Sequence, residues 1–194
     1  MASDPAYLRT FKIYTKSRAT GLHQDEMEKE FYGESDRACG ILFASWTELI
    51  IERSIKDKLK PDPPSALFDF DGPLGTFSAK IMMAYAMDLF GHKTNHDLML
   101  IRTMRNEFAH CQLPLRFELP EVKAVCAHLM LPDVDGMRVM PQYFIRKHGE
   151  LPQHWYDAEH PKTRFVTCCY TIIYKLFEIG ATRLPGVPEP SKLP

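Results

Sequence analysis

The sequence has no apolar run long enough to span a membrane, which takes about 18 residues. Its longest nearly apolar stretch, FVTCCYTIIYKLF, is shorter than that and carries Lys175. The first residues, MASDPAYLRT, lack the apolar centre of a secretory signal peptide. These two absences indicate a soluble cytoplasmic protein without membrane contact.

Cysteine is scarce, with five residues, an odd number, and no pair spaced as CxxC. Cys168 and Cys169 are adjacent, which suits neither a zinc site nor a disulfide framework. His92 and His96 lie four residues apart, but no carboxylate or cysteine stands nearby at ligand spacing. We therefore expect reduced cysteines, no metal and no cofactor.

Neither sign of charge dominates, because 24 lysines and arginines are balanced by 25 aspartates and glutamates, for a net charge of −1. Such a chain has no global basic field that would attract nucleic acid. The sequence also has no Ser-His-Asp, dinucleotide or Walker signature, since Lys80 in GPLGTFSAK is misplaced for a phosphate loop. A local cluster of basic side chains could still form an anion-binding surface on this chain.

What the sequence does contain is helical periodicity over much of its 194 residues, 45% of which are hydrophobic. A strongly helical stretch covers about 25–60, and its apolar residues surround the axis, as in the middle of a bundle. Further helices are predicted at 74–90, 96–110 and 161–182, with a short one opening at Pro120 or Glu121. No alternating strand pattern stands out. We predict an all-α, single-domain helical bundle with a long central helix.

Proline and glycine mark the predicted ends of these helices. Prolines at 61, 63, 64 and 73 forbid continuation of the central helix and indicate an ordered, extended loop. Gly91 is predicted to end the second helix, and Asn95 to cap the third. Residues 131–160 are expected to be mainly loop.

The chain is predicted to consist of one folded part and two flanking segments. The folded part, a helical regulatory domain over 31–183, holds the strong helical patterns. Residues 1–30 form an N-terminal helix or extension, in which Gly21 interrupts the pattern. The end of the chain, 184–194, is predicted to be a disordered tail.

One helix carries a polar cluster near its end, in the six residues RNEFAH from Arg105 to His110. Because residues four apart share a helix face, Arg102, Asn106 and His110 form one stripe. Arg105 lies about 60° from that stripe on the helical wheel. Two guanidinium groups, an amide and an imidazole could hold a phosphate and move a proton near neutral pH. The same residue types could instead form a structural network that fixes helix register.

The turn GPLGTFSAK, one helix upstream, is a second candidate feature. Gly72 and Gly75 are predicted to permit positive φ, and Pro73 to stiffen the turn. Thr76 or Ser78 could accept backbone N–H groups as a helix cap. Exposed amides in such a turn could bind an anion, although caps of this kind are ubiquitous in purely structural roles.

Three blocks in order, ESDRACGILFASWTELIIE, FDGPLGTFSAKIMMAYAMDLF and LIRTMRNEFAH, resemble the mannitol operon repressor (MltR) family. PKTRFVTCCYTIIYKL resembles the final helix of that family, so the resemblance spans roughly residues 31–180. It implies an all-helical bacterial transcriptional regulator that acts through a protein partner such as a transcription factor. The sequence shows no compact helix pair with a basic recognition face, so direct sequence-specific DNA contact is not expected.

RNEFAH also resembles the Rx4–6H motif of the HEPN superfamily of helical ribonucleases and nucleotide-binding proteins. On this chain the motif residues are Arg105, Asn106 and His110. The resemblance implies metal-independent RNA cleavage, in which His110 moves a proton and Arg105 stabilises charge on the phosphate. In that superfamily the pair commonly meets its copy across a dimer, which implies a homodimer here.

The leading prediction is a dimeric regulator of the mannitol repressor type, and the alternative is a ribonuclease with Arg105, Asn106 and His110 as catalytic residues. A third option is a scaffold in which these polar residues only hold helices together. Beside the motif residues, the hypothesised functional surface comprises Asp36, Arg37, Gly72, Gly75, Thr76, Ser78 and Arg102.

Overall fold

The computed structural model describes residues 35–59, 63–133 and 157–181, and this part of the chain is all-α, as predicted. It contains five α-helices and two short 3-10 turns, and no β-strand. The helices are α1, Asp36–Lys58; α2, Phe77–Ala86; α3, His92–His110; α4, Pro120–Ala127; and α5, Pro161–Ala181. The segments predicted at 1–30 and 184–194, and residues 134–156 of the loop predicted at 131–160, lie outside the described residues.

α1 is the central helix of the described bundle. It packs against α2, α3 and α5, which explains why its apolar residues surround its axis. Ser35 caps its start, where the side chain accepts the N–H of Ala38 at 3.3 Å. Its last turn carries Lys56 and Lys58, whose charges favour the negative end of the helix dipole.

α2 ends earlier than predicted, and Asp88 rather than Gly91 is the reason. Asp88 adopts the left-handed conformation with φ 59°, and the N–H of Leu89 donates to the carbonyl of Ala84 at 3.1 Å. This is a Schellman ending, in which glycine is usual and aspartate is one of the few tolerated substitutes. The sequence gives little warning of such an ending, because aspartate is common at many other positions.

α3 begins four residues before its predicted start. Gly91 is its N-cap, and the N–H of Asn95 already donates to the carbonyl of Gly91 at 3.1 Å. The prediction that Asn95 caps α3 is therefore wrong, since Asn95 lies inside the first turn. Glycine is an acceptable N-cap without a side-chain hydrogen bond, which is why the earlier start was missed.

A buried carboxylate on α3 fixes the chain that follows α4. Asp97 is fully buried and accepts the N–H groups of Met130 at 3.0 Å and Leu131 at 2.8 Å. The thiol of Cys168 on α5 lies 3.3 Å from the same carboxylate. These bonds hold the 3-10 turn Leu131–Asp133 against α3, so the predicted loop at 131–160 begins with an ordered turn.

α5 carries the longest apolar stretch of the sequence, and the bundle buries it. Its buried residues include Phe165, Cys168, Cys169 and Ile172. Burial raises the pKa of the Cys168 and Cys169 thiols well above the ordinary value, so both are poor nucleophiles. None of the described helices is both long enough and apolar enough to traverse a bilayer.

α1 and α3 approach each other closely where Gly40 meets Phe108. A Cβ atom on Gly40 would lie 2.7 Å from Cδ2 of Phe108, a ring that is almost completely buried. Phe108 in turn packs on Phe117, with ring centroids 5.2 Å apart, and Phe117 packs on Phe165 at 5.4 Å. The missing side chain at Gly40 thus lets α3 dock onto α1.

We predict that Gly40→Ala lowers the free energy of unfolding by about 1–2 kcal/mol, because overpacking at the Phe108 ring outweighs alanine's better helix propensity. Urea unfolding followed by circular dichroism measures the change. In a Phe108→Leu background the smaller side chain should relieve the contact, and the same substitution should become neutral or stabilising. Stabilisation by Gly40→Ala in both backgrounds would contradict the close crossing.

Candidate functional site

The second half of α3 directs its apolar residues towards the core, and the polar residues between Arg102 and His110 remain at least partly exposed. Ile101, Met104 and Phe108 are buried. Of the opposite residues, Arg102, Arg105 and Asn106 are partly exposed and His110 is exposed, and we call these four the α3 polar surface. A ligand or partner can therefore reach all four side chains.

Arg105 is held at the edge of this surface by two neighbours. Its Nη1 donates to Oδ1 of Asn106 at 3.1 Å, and its Nη2 lies 3.9 Å from Oε2 of Glu48 on α1. The side chain nevertheless stays 35% exposed. Since a guanidinium group has five N–H donors and only one makes a hydrogen bond within the described residues, Arg105 keeps donors for an anion.

Behind Arg105, charges of alternating sign run from α1 to α2 and back. Lys80 on α2 donates to Oε1 of Glu48 at 2.9 Å and forms an ion pair with Oε2 of Glu52 at 2.8 Å. Lys56, one turn further along α1, pairs with Glu52. The order is Lys56, Glu52, Lys80, Glu48, Arg105, so three cations face two carboxylates and one positive charge is in surplus.

In the middle of this row, Glu52 and Lys80 hold each other in the charged form. Burial alone would lower the pKa of the Lys80 ammonium, but Glu48 and Glu52 outweigh burial and raise it. Burial alone would raise the pKa of the Glu52 carboxyl, but Lys56 and Lys80 outweigh it and lower that pKa. Lys80 and Glu52 each favour the charged form of the other, so the Glu52 carboxylate stays ionised and the Lys80 ammonium stays protonated.

Arg37 has a structural task rather than an open guanidinium group. Its Nη2 donates to the carbonyls of Cys111 at 2.6 Å and Leu113 at 2.7 Å, just beyond the last turn of α3. A cation at this place satisfies carbonyls that the helix leaves without partners. Arg37 therefore fastens the chain after His110 to α1.

Asp36, also predicted for the functional surface, ties three parts of the fold together. Its Oδ2 accepts the N–H of Phe117 at 3.0 Å, and its Oδ1 accepts from Nζ of Lys162 on α5 at 3.0 Å. Burial alone would raise the pKa of the carboxyl, but Phe117 and Lys162 outweigh burial and hold that pKa below its ordinary value. These contacts give Asp36 a structural role at the edge of the core.

The turn before α2 is a cap and not a preformed anion site. Thr76 accepts the N–H of Ala79 at 3.1 Å, as predicted, while Ser78 is already the second residue of α2. The amides of Gly72, Leu74 and Gly75 all donate to carbonyls within the turn, at 2.8–3.0 Å. These N–H groups are thus occupied and do not point to a ligand.

Neither Gly72 nor Gly75 uses the left-handed φ that glycine permits, and crowding explains both glycines instead. A Cβ on Gly72 would lie 2.8 Å from the carbonyl oxygen of Leu67, and one on Gly75 would lie 2.6 Å from that of Phe70. Backbone carbonyls cannot move aside as a flexible side chain can. Glycine is needed because the turn folds back onto its own backbone.

Sequence patterns did not point to Glu48, which lies beside Arg105, or to Lys80, which contacts Glu48. A signal exists for Glu48, since Glu48 and Glu52 stand four apart at the end of the apolar part of α1. No comparable signal exists for Lys80, which is 32 residues from Glu48 and meets it only in the folded bundle.

One cavity among the described residues is lined in part by an arginine with a structural role. It measures about 490 Å³ and lies beside α4 and the start of α5, where Lys123, His160 and Arg164 contribute to its lining. Arg164 donates to the carbonyls of Cys126 at 3.2 Å and Leu129 at 2.8 Å. Within the described ranges, no three histidine, cysteine or acidic side chains converge as metal ligands would.

We predict that Asp36→Asn lowers the free energy of unfolding by about 2–4 kcal/mol at neutral pH, because it removes the negative charge that lies 3.0 Å from the nearly buried Lys162 ammonium. The native pKa of Asp36 is depressed, so its stabilisation is complete above the unfolded pKa near 3.8 and disappears as pH falls through the lower native pKa. Urea unfolding of both proteins from neutral to acidic pH should show their difference shrinking there. A difference that stays constant down to the lowest pH would contradict this.

No protein-family model, curated protein or solved structure matches the chain significantly.

Proposed function

We propose that this protein is a transcriptional regulator of the mannitol operon repressor type, which acts by binding a protein partner. The proposal starts from the resemblance of its sequence blocks to that family. In this proposal, acidic groups of the partner bind the α3 polar surface. We further propose that the protein works as a homodimer in the cytoplasm and makes no sequence-specific contact with DNA.

The exposure of Arg105, which ends a row of three cations and two carboxylates and leaves that row with one net positive charge, is the observation that supports this proposal. A buried, fully paired arginine would have favoured the scaffold option. Arg105 is 35% exposed, and its ion pair with Glu48 at 3.9 Å is too long for a hydrogen bond. Arginine with unused donors on a rigid helix is a common anchor of protein interfaces, because its planar fork fits a carboxylate.

We predict that the double substitution Arg102→Gln, Arg105→Gln weakens partner binding by about tenfold or more, since two cations are lost from the contact. The measurement is recovery of a transcription factor from cell extract, followed by titration of the purified pair. Arg116→Gln, Lys123→Gln is the matched control, because it removes two charges from exposed residues elsewhere. Equal weakening by both variants would reduce the effect to net charge, and no weakening would remove the α3 polar surface from the contact.

A second candidate function is RNA cleavage by Arg105 and His110, which one observation favours. Both side chains reach the surface from the same helix, with Arg105 oriented and His110 exposed. Five helical residues rise about 7.5 Å and turn by about 140°, so the two groups lie on neighbouring turns and on different sides of α3. In this candidate function they act together with their copies across a dimer. His110 would take the proton of the ribose 2′-hydroxyl, whose oxygen bonds to phosphorus as the phosphorus–5′-oxygen bond breaks.

This candidate predicts that the purified chain cleaves mixed RNA in the presence of EDTA, and that Arg105→Gln and His110→Gln each reduce the rate about 100-fold or more. Both residues are at the surface, so both variants should stay within about 0.5 kcal/mol of the parent in stability. Lys123→Gln serves as the control and should cleave like the parent. If the parent does not cleave RNA, the ribonuclease candidate fails and the partner proposal is unaffected.

A further inference from the structure

Glu48 stands between two cations and contacts them with different oxygens. Its Oε1 accepts from Lys80 at 2.9 Å, within hydrogen-bond distance. Its Oε2 lies 3.9 Å from Nη2 of Arg105, beyond that distance. The carboxylate is therefore committed to the buried Lys80, while it attracts the Arg105 guanidinium without occupying its N–H groups.

We infer that Glu48 is a positioning residue for Arg105, and that Lys80 keeps Glu48 from neutralising it. Asn106 holds Nη1 from the same helix and Glu48 attracts Nη2 from the neighbouring helix, so the guanidinium plane is held from two sides. That this arrangement serves anion binding rests on the proposed function. The orientation itself belongs to the free protein.

Such positioning favours binding because arginine has many rotamers. A free arginine loses most of its side-chain freedom when an anion binds, and that loss opposes binding. An arginine already oriented by the protein loses less. The cost is the nearby negative charge of Glu48, which Lys80 offsets from a distance of 2.9 Å.

The two effects of Glu48 predict opposite results for Glu48→Gln. If Glu48 only reduces the positive potential, the uncharged glutamine should tighten anion binding. If Glu48 positions Arg105, the variant should bind anions more weakly although it is more positive. Glutamine keeps the length of the side chain and an oxygen that can accept from Lys80, so the fold should persist.

Glu52→Gln is the matched control. Glu52 lies one turn further along α1, pairs with the same Lys80 at 2.8 Å and is similarly buried, with 19% of its side chain exposed against 16% for Glu48. It makes no contact with Arg105. The two variants lose the same charge and a similar Lys80 contact, and Glu52→Gln also loses the pair with Lys56. A loosening of Arg105 that only Glu48→Gln causes therefore reports the contact with Arg105.

The first measurement is the order parameter of the Arg105 Nε–H group by NMR on the full-length chain, with the signal assigned from Arg105→Lys. Arg105 should be ordered in the parent and in Glu52→Gln and clearly looser in Glu48→Gln. The second measurement is titration with inorganic pyrophosphate, whose binding should weaken about threefold to tenfold in Glu48→Gln, the effect of one mobile side chain. In Glu52→Gln it should be unchanged or tighter.

An unchanged order parameter in Glu48→Gln, or tighter pyrophosphate binding by that variant, would overturn the inference. If the parent binds no pyrophosphate, the proposed anion surface fails, while the order parameter still decides the role of Glu48. Should Glu48→Gln not fold, Asn106→Ala leaves Glu48 as the one described contact of the guanidinium group. Salt should then loosen Arg105 by screening that pair, and insensitivity to salt would refute positioning.

Discussion

The close docking of α3 onto α1 is the constraint on which the rest of this structure depends. Gly40 leaves room for the buried ring of Phe108, and that ring continues through Phe117 to Phe165 on α5. Because the crossing fixes the rotation of α3 about its own axis, it also decides which α3 residues face solvent. The polar surface is therefore a consequence of core packing on the opposite side of the same helix.

The same docking brings α3 beside the charged part of α1, and there the bundle contains an ammonium group that is almost buried. Lys80 is 6% exposed, and an uncompensated charge at that depth would be strongly destabilising. Two carboxylates of α1 resolve this, one of which also attracts Arg105. A requirement of folding, the neutralisation of Lys80, thus supplies the group that orients the candidate functional arginine.

Much of the fold was predictable because its signals are local. The periodicity of apolar residues identified α1, α3 and α5, and an all-helical fold followed from it. The ends of α2 and the start of α3 were not predictable in the same way. They depend on a left-handed aspartate at 88 and a glycine N-cap at 91. In the sequence, Gly91 was an equally good candidate for the end of α2, and Asn95 for the cap of α3. Gly72 and Gly75 were recognised as turn residues, but the crowding by backbone carbonyls that requires glycine there cannot be predicted from their spacing in the sequence.

The sequence alone determined that Arg102, Asn106 and His110 share one face of a helix, because that relation follows from the helical period. Tertiary structure alone decided what each polar residue does. Asp36 and Arg37 precede an apolar run just as surface residues would, yet they bond to Phe117, Lys162 and the carbonyls after α3. Glu48 meets Lys80 and Arg105 only when three helices converge. Ion pairs between residues far apart in the sequence depend on how close and how buried the side chains are in the folded bundle. The periodicity of the sequence does not predict them.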